Sequence, residues 1–349
     1  MRVKRCTKCI LPIEYPGINF REDGVCSFCA DFRQTDWKVQ RSILDDIVQQ
    51  ARSSGSKYQA VVPFSGGKDS SYVLYYMRKI CNLRVLALNF DNAFRSEAAG
   101  VNLETLPKTL EVDYTSIHLP WPLMKGLYAA FIKDAGEFCT VCNSVGYLTI
   151  MSYIVNHADV LGANPLVVSG WVRYLEEMPN VYAFDIKYFS DIISRAGLLG
   201  PLIESGFVDQ RCLDVLANVS DPRKLSNDTK IPLNFIALPE YIYWEVNAIS
   251  ETLKAFGWNA PSSTTGETHF DCTMYPVAKY LEKKKYGFSQ STITYSALVR
   301  HGQMTREDAL KELDRESNDR PVEFADFLGM LGLEDDQVNW KGKWYPERK

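Results

Sequence analysis

The hexapeptide Ser65-Gly66-Gly67-Lys68-Asp69-Ser70 concentrates groups suited to holding an anion. Gly66 and Gly67 have no Cβ to block a ligand and can adopt dihedrals closed to other residues. Successive backbone N–H groups, reinforced by a helix N-terminus, would face the anion. Lys68 adds a positive charge, and Ser65 and Ser70 add hydroxyls. Phosphate is the ligand this chemistry calls for. The order differs from the G-x-x-x-x-G-K-[ST] loop, because the glycines adjoin and an aspartate follows the lysine. The plainer reading is a serine–glycine turn with Asp69 favourably placed in a first helical turn.

Cysteines form a second kind of chemistry. Cys6 and Cys9 are followed, sixteen residues later, by Cys26 and Cys29. Two C-x2-C pairs can close a tetrahedral thiolate site suited to Zn²⁺. A segment this short has too little core to fold without a staple, and nothing suggests an open coordination position, so the site reads as structural. Cys139 and Cys142 make another C-x2-C, and Cys272 lies far along the chain in HFDC. On the residues alone this second set reads as a zinc site completed by His269 or as plain buried thiols. Cys81 and Cys212 stand alone and read as packing residues. His118 and His157 read as structural, whereas His269 and His301 are site candidates.

The elements that must position these groups follow from hydrophobic patterning. Residues 58–64, 84–92, 112–119 and 165–171 read as strands, with the glycine loop directly after the first. Residues 37–52 read as an amphipathic helix with Ile43, Ile47 and Val48 on one side. Helices are also expected over 71–80, 122–136 and 143–158. This alternation predicts a parallel α/β sheet with ligands beyond the strand C-termini. That places Asn89 and Asp91 in LNFDN, and Ser169 and Gly170 in VVSGW, near the loop. From about 180 to 260, aromatic-rich stretches including IPLNFIALPEYIYWEV read as helical insertions or a substrate lid. Thr305 and Asp308 fit the start of a capped helix over 305–318. The predicted division is a zinc-ribbon-like module at 1–35, a core at 36–180, a substrate-binding insertion at 181–300 and a helical tail at 301–349.

The chain has 349 residues, 46% hydrophobic and 23% charged, as expected of a soluble globular protein. Its net charge of −4 argues against a general nucleic-acid binder. No apolar run suggests a membrane span, and MRVKRCTKC lacks the apolar stretch of a signal peptide. The expectation is a cytoplasmic protein whose cysteines serve metal or redox chemistry.

The SGGKDS loop resembles the pyrophosphate-binding loop of the PP-loop ATP pyrophosphatase (adenine nucleotide α-hydrolase) superfamily, over roughly residues 58–175. The resemblance implies a Rossmann-like, HUP-type core that splits ATP into AMP and pyrophosphate and adenylates a carbonyl oxygen. Ser65, Lys68 and Asp69 become the catalytic candidates. Ser65 to Ser70, Asn89, Asp91, Ser169 and Gly170 become the candidates for holding ATP and Mg²⁺. Cys139, Cys142 and Cys272 resemble the [4Fe–4S] ligands of the superfamily's tRNA-thiolating branch.

The full arrangement is similar to the N-acetyl sugar amidotransferases of bacterial surface-polysaccharide and flagellin-glycan synthesis. It runs from CTKCILP and GVCSFC through FSGGKDSSYVL, FCTVCN and SGWVRYLEE to HFDC and YPVAKYLEKKKYGFS. This resemblance implies conversion of an acetamido group on a nucleotide-linked sugar into an acetamidino group. It also implies ammonia supplied by glutaminase and cyclase-like partner subunits. Arg173, Arg300 and the Lys283-Lys284-Lys285 run are the candidates for binding the sugar nucleotide, the lysine run reading equally as a solvated helix face. Glu176 and Glu177 could bind Mg²⁺ or ammonium, or simply begin a surface helix. The alternative activity is ATP-dependent tRNA sulfur transfer on an iron–sulfur cluster.

Overall fold

A computed structural model describes residues 4–162, 165–171, 186–218, 234–260 and 269–341. Its centre is a five-stranded sheet of order β3-β2-β1-β4-β5, with every neighbouring pair parallel. The strands are β1 Ala60–Pro63, β2 Val85–Asp91, β3 Asp113–His118, β4 Leu166–Ser169 and β5 Asn234–Ala237. Three of them have only four residues. Such short strands hold because both sheet faces are covered.

The pleat divides the strand side chains between two cores. Val61, Leu86, Leu88, Val167 and Phe235 enter one core. Ala60, Val62, Val85, Ala87, Leu166, Val168 and Ile236 enter the other. Burying each Val or Leu contributes roughly 1.5–3 kcal/mol, so the double-sided core outweighs the short ladders in holding the sheet.

The principal helices are α1 Trp37–Ser53, α2 Lys68–Tyr75, α3 Glu97–Leu110, α4 Trp121–Ala135, α5 Cys139–Asn156 and α6 Ile186–Arg195. They continue with α7 Val246–Lys254, α8 Tyr275–Tyr286, α9 Gln290–Arg300, α10 Arg306–Arg315 and α11 Glu323–Leu331. In α1 the buried face is Leu44, Val48 and Ala51, while Ile43 is exposed. The expected stripe was therefore rotated by one position. Helix α5 is apolar around most of its circumference and is buried accordingly. At α10, the Thr305 hydroxyl accepts from the Asp308 N–H at 3.0 Å, making the expected cap.

The aromatic stretch around 231–246 corrects one expectation. Residues 234–237 form β5, the sheet edge beside β4, and 238–240 form a single 3₁₀ turn. Trp244 is fully buried behind them. The aromatics there seal the sheet rather than form a helical lid.

The cysteine-rich N-terminus shares its core with the C-terminal helices. Tyr15 packs on Phe28 and Phe288, with Tyr286 and Ile293 in the same cluster. Arg306 of α10 donates to the carbonyls of Cys9 at 2.9 Å and Cys6 at 3.1 Å. No helix among the described residues is long and apolar enough to cross a membrane.

Candidate active site at the sheet switch point

Strand order reverses between β1 and β4, and chain leaving the two strands diverges there. In open parallel sheets this crevice is the ligand site. SGGKDS leaves β1, and Ser169-Gly170 leaves β4. Both line a cavity of about 480 Å³.

The loop is built around its glycines. Gly66 has φ +82°, and a Cβ there would stand 2.5 Å from the Ala99 carbonyl oxygen of α3. No other residue type fits that backbone without displacement. Its own carbonyl accepts from Asn102 Nδ2 at 2.9 Å and Trp258 Nε1 at 3.3 Å. Gly67 caps α2, and a Cβ on it would lie 2.8 Å from Asp271 Oδ2. Gly170 matters for a different reason: a Cβ would meet the Asp69 backbone at 2.8 Å. Its lack of a side chain lets β4 close against the start of α2.

Internal hydrogen bonds hold the turn open. Ser65 N–H donates to Ser70 Oγ at 3.2 Å, and Gly67 N–H donates to Ser65 Oγ at 3.3 Å. Lys68 is buried and paired with Asp69, which also accepts from Trp244 Nε1 at 3.1 Å. Asn89, buried at the end of β2, donates to the Phe64 carbonyl at 2.9 Å and accepts from Ser116 Oγ at 2.8 Å. It lines the cavity and braces the strand that feeds the loop.

The opposite wall comes from α5, α8 and the chain before α8. Cys139, Cys142 and Cys272 all line the cavity. The three thiols therefore share the nucleotide-sized space, although 130 residues of chain separate Cys142 from Cys272. Burial pushes Cys142 up to about 11, Cys272 up to about 12, and Cys139 well above the ordinary thiol value. Tyr128 O–H donates to the Asn92 carbonyl at 2.8 Å and lies 3.2 Å from Cys142 Sγ. His269, Asp271, Tyr275 and Glu282 complete this wall.

The first cysteine set is a different environment. Its four sulfurs all lie within 4.8 Å of one another, and all four residues are buried. Among the described residues no other group of three or more His, Cys, Asp or Glu side chains is found at that closeness. Cys6 Sγ accepts backbone N–H groups of Cys26 at 3.2 Å, Cys9 at 3.4 Å and Lys8 at 3.4 Å. Hydrogen bonds from Cys26, Cys29 and Cys9 hold Cys6 far below the ordinary thiol value. Amide-stabilised sulfur at this spacing fits a Zn²⁺ ion. Cys139, Cys142, Cys272 and His269 are not grouped this closely, so a mononuclear zinc site made from them does not fit.

Several predicted residues lie elsewhere. Asp91 turns away from the cavity toward His118 at 3.2 Å and Arg95 at 3.7 Å. Arg300 is buried beside Tyr15 and His301, away from the cavity. His301 stacks edge-on against Phe32, 4.8 Å between ring centroids, and burial lowers it to about 4. Lys283 binds Glu316 at 2.8 Å, Lys285 reaches the Ala135 carbonyl, and Lys284 lies over Tyr280. The lysine run is thus spent on packing. Arg173, Glu176 and Glu177 lie outside the described residues. Cys81 and Cys212 are buried in apolar surroundings, as expected of packing residues. His157 is structural, its Nδ1 donating to the Tyr153 carbonyl at 2.8 Å.

Asn102, Asp271, Glu282, Trp244 and Trp258 were missed by sequence reasoning. The one local signal was the position of Asp271 beside Cys272. The others reach the loop or cavity through contacts distant in sequence, such as Asn102 with residue 259.

A parallel sheet with a glycine-rich loop at its switch point defines an α/β protein whose candidate site lies beyond the strand C-termini. Residues 255–340 match the family described as "LPS biosynthesis protein WbpG-like, C-terminal domain". This region carries Asp271, Cys272 and Glu282, one wall of the cavity. An uncharacterized protein of Methanocaldococcus jannaschii, MJ1599, is 21% identical over 90% of this chain and 94% of its own. Among solved structures, the NH3-dependent NAD synthetase of Campylobacter jejuni is 19% identical, covers 65% of this chain and 98% of its own, and has a TM-score of 0.30. The U34-tRNA thiolase NcsA of Methanococcus maripaludis, solved with its [4Fe–4S] cluster, is 10% identical, covers 91% and 90%, and has a TM-score of 0.33. At those scores neither structure adds to the fold seen directly in the sheet.

Proposed function

We propose that the protein is an ATP-dependent amidotransferase that converts an acetamido group of a nucleotide-linked sugar into an acetamidino group, in lipopolysaccharide or related surface-glycan synthesis. The observation that carries this reading is the single cavity joining the SGGKDS loop to a wall from the WbpG-like region. An amide carbonyl is a weak electrophile and its oxygen a poor leaving group. Transfer of AMP to that oxygen removes both obstacles, and ammonia can then displace AMP.

The chain's residues have distinct parts in this scheme. The Ser65–Ser70 backbone and hydroxyls cradle the leaving pyrophosphate, while Lys68 neutralises its developing charge. Asp69 and Asp271 are the carboxylates that would hold Mg²⁺ beside the loop, and their oxygen donors suit that ion. Such an ion supplies charge neutralisation on the phosphates. Asn89, Ser169 and Gly170 shape the opposite side of the nucleotide crevice. Catalysis rests on positioning and charge stabilisation. The family resemblance implies that a glutaminase and a cyclase-like subunit deliver the ammonia.

The test combines purified protein, Mg-ATP, ammonium and a panel of UDP- and CMP-linked acetamido sugars. AMP, pyrophosphate and a product in which NH replaces the carbonyl oxygen should form together. Lys68→Ala should lower pyrophosphate release by about 10²–10³-fold, the usual loss for one charge-stabilising group. Wild-type turnover in that variant would refute the loop's role.

A second reading is favoured by one observation, the convergence of Cys139, Cys142 and Cys272 on the cavity. Three thiolates there would hold an iron–sulfur cluster for transfer of sulfur to tRNA. Sulfur incorporation into tRNA, without any sugar-dependent release of AMP, would support it over the amidotransferase.

A further inference from the structure

The amidotransferase reading leaves a proton unaccounted for. Ammonia adds to the adenylated imidate carbon as a C–N bond forms, and the new nitrogen bears three hydrogens and a positive charge. The product amidinium carries only two hydrogens on that nitrogen. One N–H bond must therefore break before or as the C–O bond to AMP breaks with its electron pair. Some group at the cavity has to accept that proton.

Among the described residues the cavity offers few acceptors. Asp69 is committed to Lys68 and Trp244, and Asp271 faces Gly67 in the anion loop. Burial holds Tyr275 in its protonated form, and the three thiols stand together on the wall as candidate cluster ligands. His269 lines the cavity but is exposed, at the end of the described chain that leads into α8. Glu282 remains. It projects from α8 into the cavity on the wall that also carries Cys139. One carboxylate oxygen accepts the Gln290 N–H at 2.8 Å, which fixes the side chain across the α8–α9 turn. The lysines on its own helix, Lys279 and Lys283, direct their ammonium groups to Glu316 at 3.3 and 2.8 Å.

We propose that Glu282 is the proton acceptor for the attacking nitrogen, an inference that rests on the amidotransferase reading. The carboxylate takes the proton as the C–N bond forms, and the resulting acid releases it to water when product leaves. The surroundings suit this task. Burial, opposed by the Gln290 N–H and Lys279 and aided by the charges of Glu137 and Glu316, pushes Glu282 up to about 7. Tyr275, on the same helix, also lines the cavity and is kept neutral by burial. A base titrating near the working pH is the most effective proton acceptor.

The experiment uses the full chain with Mg-ATP, a productive sugar nucleotide and ammonium. Sugar-dependent exchange of labelled pyrophosphate into ATP reports adenylation, and amidine formation reports the whole reaction. Glu282→Gln keeps an oxygen for the Gln290 N–H. It should lower amidine formed relative to exchange by about 10²-fold. It should also abolish a rise in rate through about pH 7 that the proposal expects of the wild type. Glu282→Asp should restore part of the rate and a shifted rise. An unchanged ratio and an unchanged pH profile in Glu282→Gln would overturn the proposal. So would loss of the pH 7 rise in His269→Asn with its retention in Glu282→Gln. Absence of sugar-dependent exchange in the wild type would instead overturn adenylation itself, and the proposal with it.

Discussion

Replacing Asn102 with alanine tests whether the anion loop is held by the distant contacts seen around it. The side chain is fully buried on α3. Its Nδ2 donates to Gly66 O at 2.9 Å and Asn259 O at 2.8 Å, and its Oδ1 accepts from Asn259 N–H at 2.7 Å. Three buried hydrogen bonds at about 1 kcal/mol each give an expected loss of ~3 kcal/mol. The Asn259 N–H bears most of the penalty, because Gly66 O retains Trp258 Nε1 at 3.3 Å. Urea unfolding followed by tryptophan fluorescence measures the loss directly. ATP affinity should fall as well, since the Gly66 carbonyl, left with Trp258 alone, fixes the loop less firmly. A destabilisation below about 1 kcal/mol, within the range of an ordinary surface substitution, together with unchanged ATP affinity would refute the argument. It would mean that the loop holds its shape through its own serine hydrogen bonds.

Gly66→Ala should be more damaging to nucleotide binding than Gly17→Ala. Both glycines have positive φ, but a Cβ on Gly66 strikes the Ala99 carbonyl at 2.5 Å whereas Gly17 faces open space. Equal ATP dissociation constants in the two variants would contradict this. Glu282→Gln should become more stable than the wild type as pH rises. The wild-type carboxyl is raised in the folded state, so its contribution is fully present below the ordinary value of 4.5 and is lost as pH rises through about 7. Urea midpoints at pH 5 and pH 8 should therefore separate progressively, and parallel midpoints would rule out an enclosed carboxylate. Cys9→Ser should bind less than one equivalent of zinc and unfold at lower urea, because the N-terminal module has little core of its own. Metal content by elemental analysis and the same unfolding assay check both halves of that expectation.

The parts of the fold that were legible in the sequence are those with local signatures. β1 and the loop could be read because a buried apolar run passes straight into SGGKDS. The first cysteine set could be read because two C-x2-C pairs specify their own turns. β5 was not legible: four residues, NFIA, lie among aromatics that suit a helix as well as a strand. Its identity comes only from pairing with β4. Charge was similarly misleading. The lysine run and Arg300 looked available for phosphates, yet the fold turns them toward Glu316, a carbonyl and the N-terminal module. Asn102, Asp271 and Glu282 carry no motif, and only the topology gathers them around the loop.

The grip of Arg306 on the Cys6 and Cys9 carbonyls joins two events that the chain keeps far apart. The cysteine module also packs on Tyr286, Phe288 and Ile293, the segment linking the helix that bears Glu282 to the one that carries Gln290 and Thr294. Occupancy of that site by a metal would therefore be thermodynamically linked to the rigidity of the cavity wall. Linkage is reciprocal, so a ligand that favours the ordered wall must also slow loss of the metal. A Zn²⁺ ion held by the four cysteines would thus act as a keystone, set apart from the cavity and yet bracing its wall.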